Sequence, residues 1–285
     1  MTDAPPTPEA TARARSLYDL GPTVMFASRA DPRFHYAMYV PPIVGTGAKV
    51  DLIVAVHGTG RTSFLEYRND LSEFGRWNNA AILTPIFPVG VRGDGARSGY
   101  KYIQEGDIRY DRALLDMVAE VAEKYRQDWS QFALLGYSGG GHFAHRFAIL
   151  HPGRLWAASV GAPGSVTLLD PTRDWWVGIR DINEKFGITF DPQALARVPV
   201  QCIVGEADLE TWEITHQPGS TYWMEGANDA GRTRPERSRA LADSFKKAGV
   251  KVRFDLVPGV SHDRARVMNR VKDFLADALA QRRKG

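Results

Sequence analysis

The chain has little cysteine and no long hydrophobic run. Cys202 is the single cysteine among 285 residues, so no disulfide can form within the chain, and its apolar surroundings predict a buried structural thiol. No apolar stretch approaches the roughly 18 residues that a helix needs to cross a bilayer. Residues 1–14 lack the apolar centre of a signal peptide. The sequence therefore predicts a cytoplasmic protein without membrane contact.

An excess of charge of one sign is also missing. The net charge is +3, with 36 basic and 33 acidic residues spread along the chain, and no basic block is longer than Arg282-Arg283-Lys284. This balance does not favour nucleic-acid binding. No group of His, Cys, Asp and Glu residues has the spacing of a metal site. We therefore predict neither a metal nor another cofactor.

The chain does contain a regular alternation of apolar strands and amphipathic helices. Over about 230 residues this alternation predicts a mostly parallel sheet covered by helices on both faces. The apolar fraction of 44% is enough for a sizeable core. Neither repeats nor low-complexity linkers divide the chain. We predict an α/β fold in a single domain over residues 1–285, with a loose leader at 1–15 and a lid-like insertion at 164–198.

One glycine-rich turn, at residues 136–140, organises the rest of the chain. The apolar run at 132–135 predicts a buried strand, and the residues after Gly139 have the spacing of a helix. Ser138 lies between them in the sequence Gly-Tyr-Ser-Gly-Gly, which fits the G-x-S-x-G pattern of a nucleophile elbow. Glycine permits the tight turn, and the helix amino end favours negative charge beside the serine. Ser138 is therefore the candidate nucleophile.

A serine nucleophile needs a base, and the base needs a partner that holds its tautomer. In an open α/β sheet these groups belong at the carboxyl ends of strands. His262 is the one histidine that follows the last predicted strand. Asp208 follows the apolar run at 200–204, and Glu206, two residues nearer that run, is the rival acid. His57 also ends a predicted strand, and we expect it to brace the following turn by hydrogen bonds.

Four segments together resemble the α/β-hydrolase family: the elbow at 136–140, His-Gly-Thr-Gly at 57–60, Gly-Glu-Ala-Asp at 205–208 and Gly-Val-Ser-His at 259–262. The match spans about residues 34–280. Within it, the elbow and the helix that follows most resemble bacterial esterases and hydrolases of the dienelactone-hydrolase or polyester-depolymerase type. The resemblance implies an eight-stranded, mostly parallel sheet, with 164–198 as a cap after the sixth strand. It also favours Asp208 over Glu206.

The roles that follow are those which the resemblance implies. Ser138 attacks a substrate carbonyl, His262 transfers the proton, and Asp208 holds the imidazole. The oxyanion is bound by the backbone N–H groups of Gly139 and Thr59, with Gly60 as the next candidate. The implied reaction is hydrolysis of a small-molecule carboxylic ester, lactone or amide through an acyl-enzyme. A catalytically idle binding protein and an acyltransferase remain as alternatives.

Aromatic residues are concentrated in two irregular segments, 164–198 and 209–233. They could pin the loops to the core or line an apolar pocket under the cap, and we favour the pocket because both segments follow active-site strands. The predicted pocket residues are Tyr137, Trp175, Trp176, Trp212 and Trp223, and Tyr222 of the second segment belongs to the same group of aromatic residues. The loop at 89–107 carries charged residues that we expect to be solvated, contact with an anionic substrate being the alternative. These are Arg92, Asp94, Arg97 and Lys101.

Overall fold

The structure is a computed structural model that describes residues 7–284. Its strands are β1 (Gly21–Pro22), β2 (Phe26–Ala27), β3 (His35–Val40), β4 (Asp51–Val56), β5 (Ala80–Ile86), β6 (Gln104–Glu105), β7 (Ile108–Arg109), β8 (Phe132–Tyr137), β9 (Leu155–Gly161), β10 (Val200–Gly205) and β11 (Val252–Val257). Its α-helices are α1 (Pro8–Tyr18), α2 (Ser63–Asn78), α3 (Tyr110–Tyr125), α4 (Gly139–Leu150), α5 (Ile182–Phe186), α6 (Pro192–Ala196), α7 (Arg234–Lys247) and α8 (Arg264–Arg282). Short 3-10 helices, Pro42–Thr46, Gly99–Tyr102 and Pro152–Arg154, complete the set.

The central sheet has the strand order β1-β3-β5-β4-β8-β9-β10-β11, and β2 also pairs with β3. Strands β4, β5 and β8 to β11 are parallel, whereas β3 is antiparallel to β5. Helices α3, α4 and α7 contribute to one buried apolar cluster and helices α2 and α8 to a second. The predicted mostly parallel sheet with helices on both faces is confirmed. All parallel strands therefore present their carboxyl ends at one edge.

The sheet has nine strands where the resemblance implies eight. The difference lies at its amino-terminal edge, where β1 and β2, of two residues each, both pair with β3. The insertion at 164–198 contains only the five-residue helices α5 and α6. Its assignment as a cap, and the single-domain boundaries, stay predictions.

The prediction of a loose leader is wrong for the part of it that the structure describes. Residues 8–18 form helix α1, which has Pro8 in its first turn and Thr7 as its cap; Ala10 N–H donates to Thr7 Oγ1 at 3.2 Å. Residues 1–6 of that leader lie outside the described part. Helix α1 buries none of its side chains, so capping and not core packing accounts for it. Among the helices within 7–284, none combines the length and apolar character needed to cross a membrane.

Helix α7 begins with a capping box. The Thr233 hydroxyl accepts from Glu236 N–H, while the Glu236 carboxylate accepts from Thr233 N–H. Pro235 fits the first turn because its missing N–H has no partner there in any helix. The box fixes the first turn of α7, so the side chains of Arg234 and Arg237 are buried towards the carboxyl edge of the sheet.

Candidate active site

Ser138 is held in a strained turn between β8 and α4. Its φ of 56° and ψ of −118° are unusual for a residue with a Cβ, and its N–H donates to Gly161 O at 2.8 Å. A Cβ on Gly136 would collide with the backbone of Gly140, and one on Gly140 would collide with Val56 O. The turn is therefore possible only with glycine at both positions. Among residues 7–284, the Ser138 hydroxyl makes no hydrogen bond to another side chain.

Two backbone N–H groups lie beside this turn. Gly139 is the first residue of α4, and a Cβ on it would lie 2.9 Å from the backbone N of Thr59. The Tyr100 hydroxyl lies at the same place and donates to His57 O at 3.2 Å. The backbone N of Thr59 thus lies close to Gly139 at the start of α4. The nearest atom to a Cβ on Gly60 belongs to the loop after it and not to α4.

His57 joins the ends of β4 and β5. Its Nδ1 lies 2.8 Å from Gly58 O, and its Nε2 accepts from Phe87 N–H at 3.0 Å, which places the ring proton on Nδ1. The ring is fully buried, and burial lowers the pKa of His57 to about 3. His57 therefore stays neutral, and the predicted bracing of the Thr59 turn by hydrogen bonds is confirmed.

His262 and Asp208 meet at the same edge of the sheet. His262 Nδ1 lies 2.6 Å from Asp208 Oδ2, and the carboxylate is buried. The His262 side chain is 28% exposed, so its ring reaches the surface of the site. Glu206 turns away and accepts from Gly259 N–H at 3.2 Å. The structure thus brings Asp208, and not its rival, to the imidazole.

The ring of His262 packs on Tyr137, the residue before Ser138. The two ring centroids are 5.1 Å apart with the planes at 38°. Tyr137 is buried. The contact places the His262–Asp208 pair next to the elbow, although the three residues are far apart along the chain.

Arg234 is a site residue that the sequence analysis missed. Its Nη1 donates to the second oxygen of Asp208, at 3.0 Å, and its Nη2 to Glu213 Oε2 at 2.5 Å. The side chain is 2% exposed. The available signal was the Thr-x-x-Glu capping box at 233–236, which marks the start of a helix beside the site without saying what its arginine binds.

A cavity of about 160 Å³ opens beside Ser138 and is mostly polar. The Tyr102 and Tyr222 rings stack in its wall at 3.9 Å. Burial lowers the pKa of Lys101 to about 8 and that of His216 to about 4. The lining residues are Thr59, Ser98, Lys101, Tyr102, Ser138, His142, Gly164, Glu213, Ile214, His216, Tyr222 and Arg234.

Of the aromatic residues predicted to line a substrate pocket, Tyr222 lines this cavity, whereas Tyr137, Trp175, Trp176, Trp212 and Trp223 are not among its lining residues. Trp175 and Trp176 are buried behind it, where their indole N–H groups donate to Tyr102 O at 3.2 Å and Tyr222 O at 3.0 Å. Trp212 and Trp223 are 77% and 44% exposed. The segment after β9 folds back onto α4 and buries its tryptophans in the core, whereas the loop after β10 turns outward. Tyr137 packs on His262 instead.

The charged loop at 89–107 divides into two parts. Arg92, Asp94 and Arg97 are exposed, as expected for solvated residues. The expectation was wrong for Lys101, which lies in the 3-10 helix Gly99–Tyr102 and lines the cavity. This 3-10 helix packs against α4, so Lys101 lies apart from the solvated part of the loop.

Comparisons with known proteins show which solved structures have a similar fold. No family model matches this chain, and no curated protein sequence matches it. A poly(3-hydroxybutyrate) depolymerase from Bordetella parapertussis has a similar structure, with a TM-score of 0.70, 20% identity and coverage of 95% of this chain and 98% of its own. Poly(aspartic acid) hydrolase-1 from Sphingomonas sp. KT-1 has a TM-score of 0.65 at 18% identity, over 84% of this chain and 92% of its own.

An S-formylglutathione hydrolase from Agrobacterium tumefaciens is also similar, with a TM-score of 0.56 at 18% identity, over 90% of this chain and 93% of its own. At these identities the likeness shows the fold alone. The chain has the α/β-hydrolase fold that its sequence predicts.

Proposed function

We propose that this protein is a serine hydrolase that cleaves a carboxylic ester with the triad Ser138, His262 and Asp208. The observation that carries the proposal is the 2.6 Å contact between His262 Nδ1 and Asp208 Oδ2, next to a strained turn that exposes a serine hydroxyl to a cavity. The hydrolase and depolymerase names of the structurally similar proteins support the same class of reaction.

The proposed reaction begins when Ser138 Oγ attacks the ester carbonyl and His262 Nε2 takes the hydroxyl proton. Asp208 keeps the other ring proton on Nδ1, so that Nε2 is free to act as the base. The carbonyl oxygen gains negative charge and is bound by the N–H groups of Gly139 and Thr59, and each such donor contributes about 3 kcal/mol in the transition state.

The tetrahedral intermediate collapses with cleavage of the ester C–O bond, and His262 returns the proton to the leaving alcohol. Water then attacks the acyl-enzyme, gives its proton to His262, and releases the acid and the Ser138 hydroxyl. One ester and one water thus yield one acid and one alcohol, with no net change at the enzyme. A lactone or amide can follow the same steps, and an acyltransferase would replace the water by another alcohol or amine.

The test compares Ser138→Ala with Ser220→Ala, a serine in the exposed loop after β10. Hydrolysis of p-nitrophenyl esters and labelling by a fluorophosphonate are measured, and circular dichroism checks the fold. We expect Ser138→Ala to lose about 10⁴-fold or more in kcat and all labelling, while Ser220→Ala keeps both. A wild-type protein that is folded but neither cleaves esters nor takes the label would be an idle binding protein instead.

A further inference from the structure

We propose that the substrate is an ester carrying a carboxylate, and that the ammonium group of Lys101 binds this carboxylate in the cavity beside Ser138. The inference deepens the proposed function and rests on it. Two observations support the inference. The Lys101 side chain lines the cavity without a partner among the described residues, and the charged side chains around it are mostly cations.

Lys101 is positioned at the cavity by its backbone. Its carbonyl accepts from Nη1 of Arg146, a fully buried residue of α4, at 2.6 Å. The preceding residue, Tyr100, is also buried, and its hydroxyl lies against Gly139. The main chain of Lys101 is thereby fixed to the elbow helix itself. Within residues 7–284, its ammonium group forms no hydrogen bond or ion pair.

The surroundings of Lys101 carry an excess of buried positive charge. Arg61, Arg146 and Arg237 are each less than 9% exposed, and each donates to the backbone of a cavity-lining residue. Their other partners are carbonyl, hydroxyl and amide oxygens and one imidazole, and none of the three pairs with an acidic side chain of residues 7–284. Burying a charge without a counter-ion is costly.

The acids of the site do not compensate these cations. Glu213 and Asp208 both bind the guanidinium of Arg234, which neutralises part of their charge. Burial lowers the pKa of Arg146 and of Arg237 to about 10, as expected for cations surrounded by apolar atoms and carbonyls. A negatively charged ligand would supply the missing counter-charge, and the positive walls would draw it in.

Other polar groups of the cavity cannot take the place of Lys101. His142 accepts Gly164 N–H at Nε2, at 2.8 Å, and burial holds its pKa well below the ordinary value. His216 is likewise kept neutral by burial. Arg234 also lines the cavity, but both of its Nη groups donate to carboxylates. The ammonium group of Lys101 has no such partner within residues 7–284 and is available to a ligand. The stacked rings of Tyr102 and Tyr222 offer an apolar surface for the carbon chain between carboxylate and ester.

The experiment compares kcat/KM for two matched ester pairs. In the first pair the acyl group ends in a carboxylate or a methyl group: mono-p-nitrophenyl adipate against p-nitrophenyl hexanoate. In the second pair the alcohol side carries the charge: p-acetoxybenzoate against p-acetoxybenzamide. The ratio of kcat/KM for the anionic ester to that for its neutral partner is measured in wild type, Lys101→Gln, Lys101→Arg and Arg97→Gln. Uncatalysed hydrolysis is subtracted.

In Lys101→Gln we expect this ratio to fall about tenfold or more in one pair, because the lost bond joins two charged groups. The pair that responds tells which side of the ester carries the carboxylate. Lys101→Arg should keep the ratio within about threefold, since it keeps the charge. Arg97→Gln removes the same charge from the exposed part of the same loop and should leave the ratio within about twofold.

A fall of less than about threefold in both pairs for Lys101→Gln would overturn the inference while leaving the ester hydrolase intact. If Lys101→Gln does not fold, Lys101→Met removes the charge with a side chain of similar length and repeats the comparison. If the folded wild type cleaves none of the four esters and takes no fluorophosphonate label, the proposed function fails and the inference fails with it.

Discussion

Arg234 and Asp208 form a buried ion pair on the side of the carboxylate opposite His262. Nη1 of Arg234 donates to Oδ1 at 3.0 Å, so both oxygens of Asp208 have a partner. Their side chains are 2% and 0% exposed. Burying a carboxylate without such partners costs folding free energy. Arg234 therefore acts in the proposed mechanism as a positioning residue, which gives Asp208 a second hydrogen-bond partner and orients it towards the imidazole.

Replacing Arg234 by Gln should lower kcat/KM for a neutral ester by about 10- to 100-fold, because Asp208 loses its second partner. It should also lower the free energy of unfolding by about 3 kcal/mol, the usual cost of leaving one member of a buried ion pair without its partner. Steady-state kinetics on p-nitrophenyl butyrate measure the first effect, and urea unfolding measures the second.

Arg234→Lys keeps the charge and should restore part of the activity that Arg234→Gln loses. Arg232→Gln removes an exposed arginine two residues away and serves as the control. If Arg234→Gln loses stability but keeps the wild-type kcat, its role is structural only.

Asp208→Asn and Glu206→Gln test which acid serves His262. Asp208→Asn should lower kcat by about 10⁴-fold, because an amide can no longer hold the required tautomer. Glu206→Gln should change kcat less than about tenfold, since Glu206 accepts from Gly259 N–H and does not contact His262. Steady-state kinetics on p-nitrophenyl butyrate decide between them. Equal losses in the two variants would contradict the assignment of Asp208.

The stability of the protein should fall in mild acid because three buried histidines are neutral. His57, His142 and His145 each accept a backbone N–H at Nε2, and burial lowers the pKa of all three. In the unfolded chain they gain protons below about pH 6.5, which the folded chain cannot match. The stabilisation is complete above that pH and is lost as the pH falls below it.

Each of these histidines should steepen the fall by up to about 1.4 kcal/mol per pH unit between pH 6.5 and 5. Urea unfolding at several pH values in that range measures the slope. His145→Gln should be less stable at pH 7.5 but have a shallower slope, because one titrating group is gone. An unfolding free energy that stays constant or rises from pH 6.5 to 5 would refute this account.

Tyr222 and Trp212 test which of the predicted aromatic residues line the cavity. Tyr222→Ala removes one of two stacked rings in the wall, and we expect KM for p-nitrophenyl butyrate to rise about threefold to tenfold. Trp212→Ala removes a larger aromatic ring from the same loop, but that ring is 77% exposed and should leave KM within about twofold. The opposite order of effects would contradict the lining that the structure shows.

Local sequence was a good guide to the elbow. Glycine at 136 and 140 is required by close backbone contacts within a few residues, so the turn can be read without knowing the fold. The placing of His262 needed one further step, because parallel strands bring their carboxyl ends to one edge. Arg234 could not be found in this way: its guanidinium reaches Asp208 from a helix 26 residues further along the chain.

The sequence by itself determined the alternation of strands and helices and the identity of the strained serine, since both depend on side-chain period and on local backbone sterics. Only the tertiary structure decided that Asp208 rather than Glu206 faces the imidazole, that the tryptophans lie behind or outside the cavity, and that Lys101 lines it. Burial and charge pairing depend on which distant segments pack together, and no local pattern of residues records that.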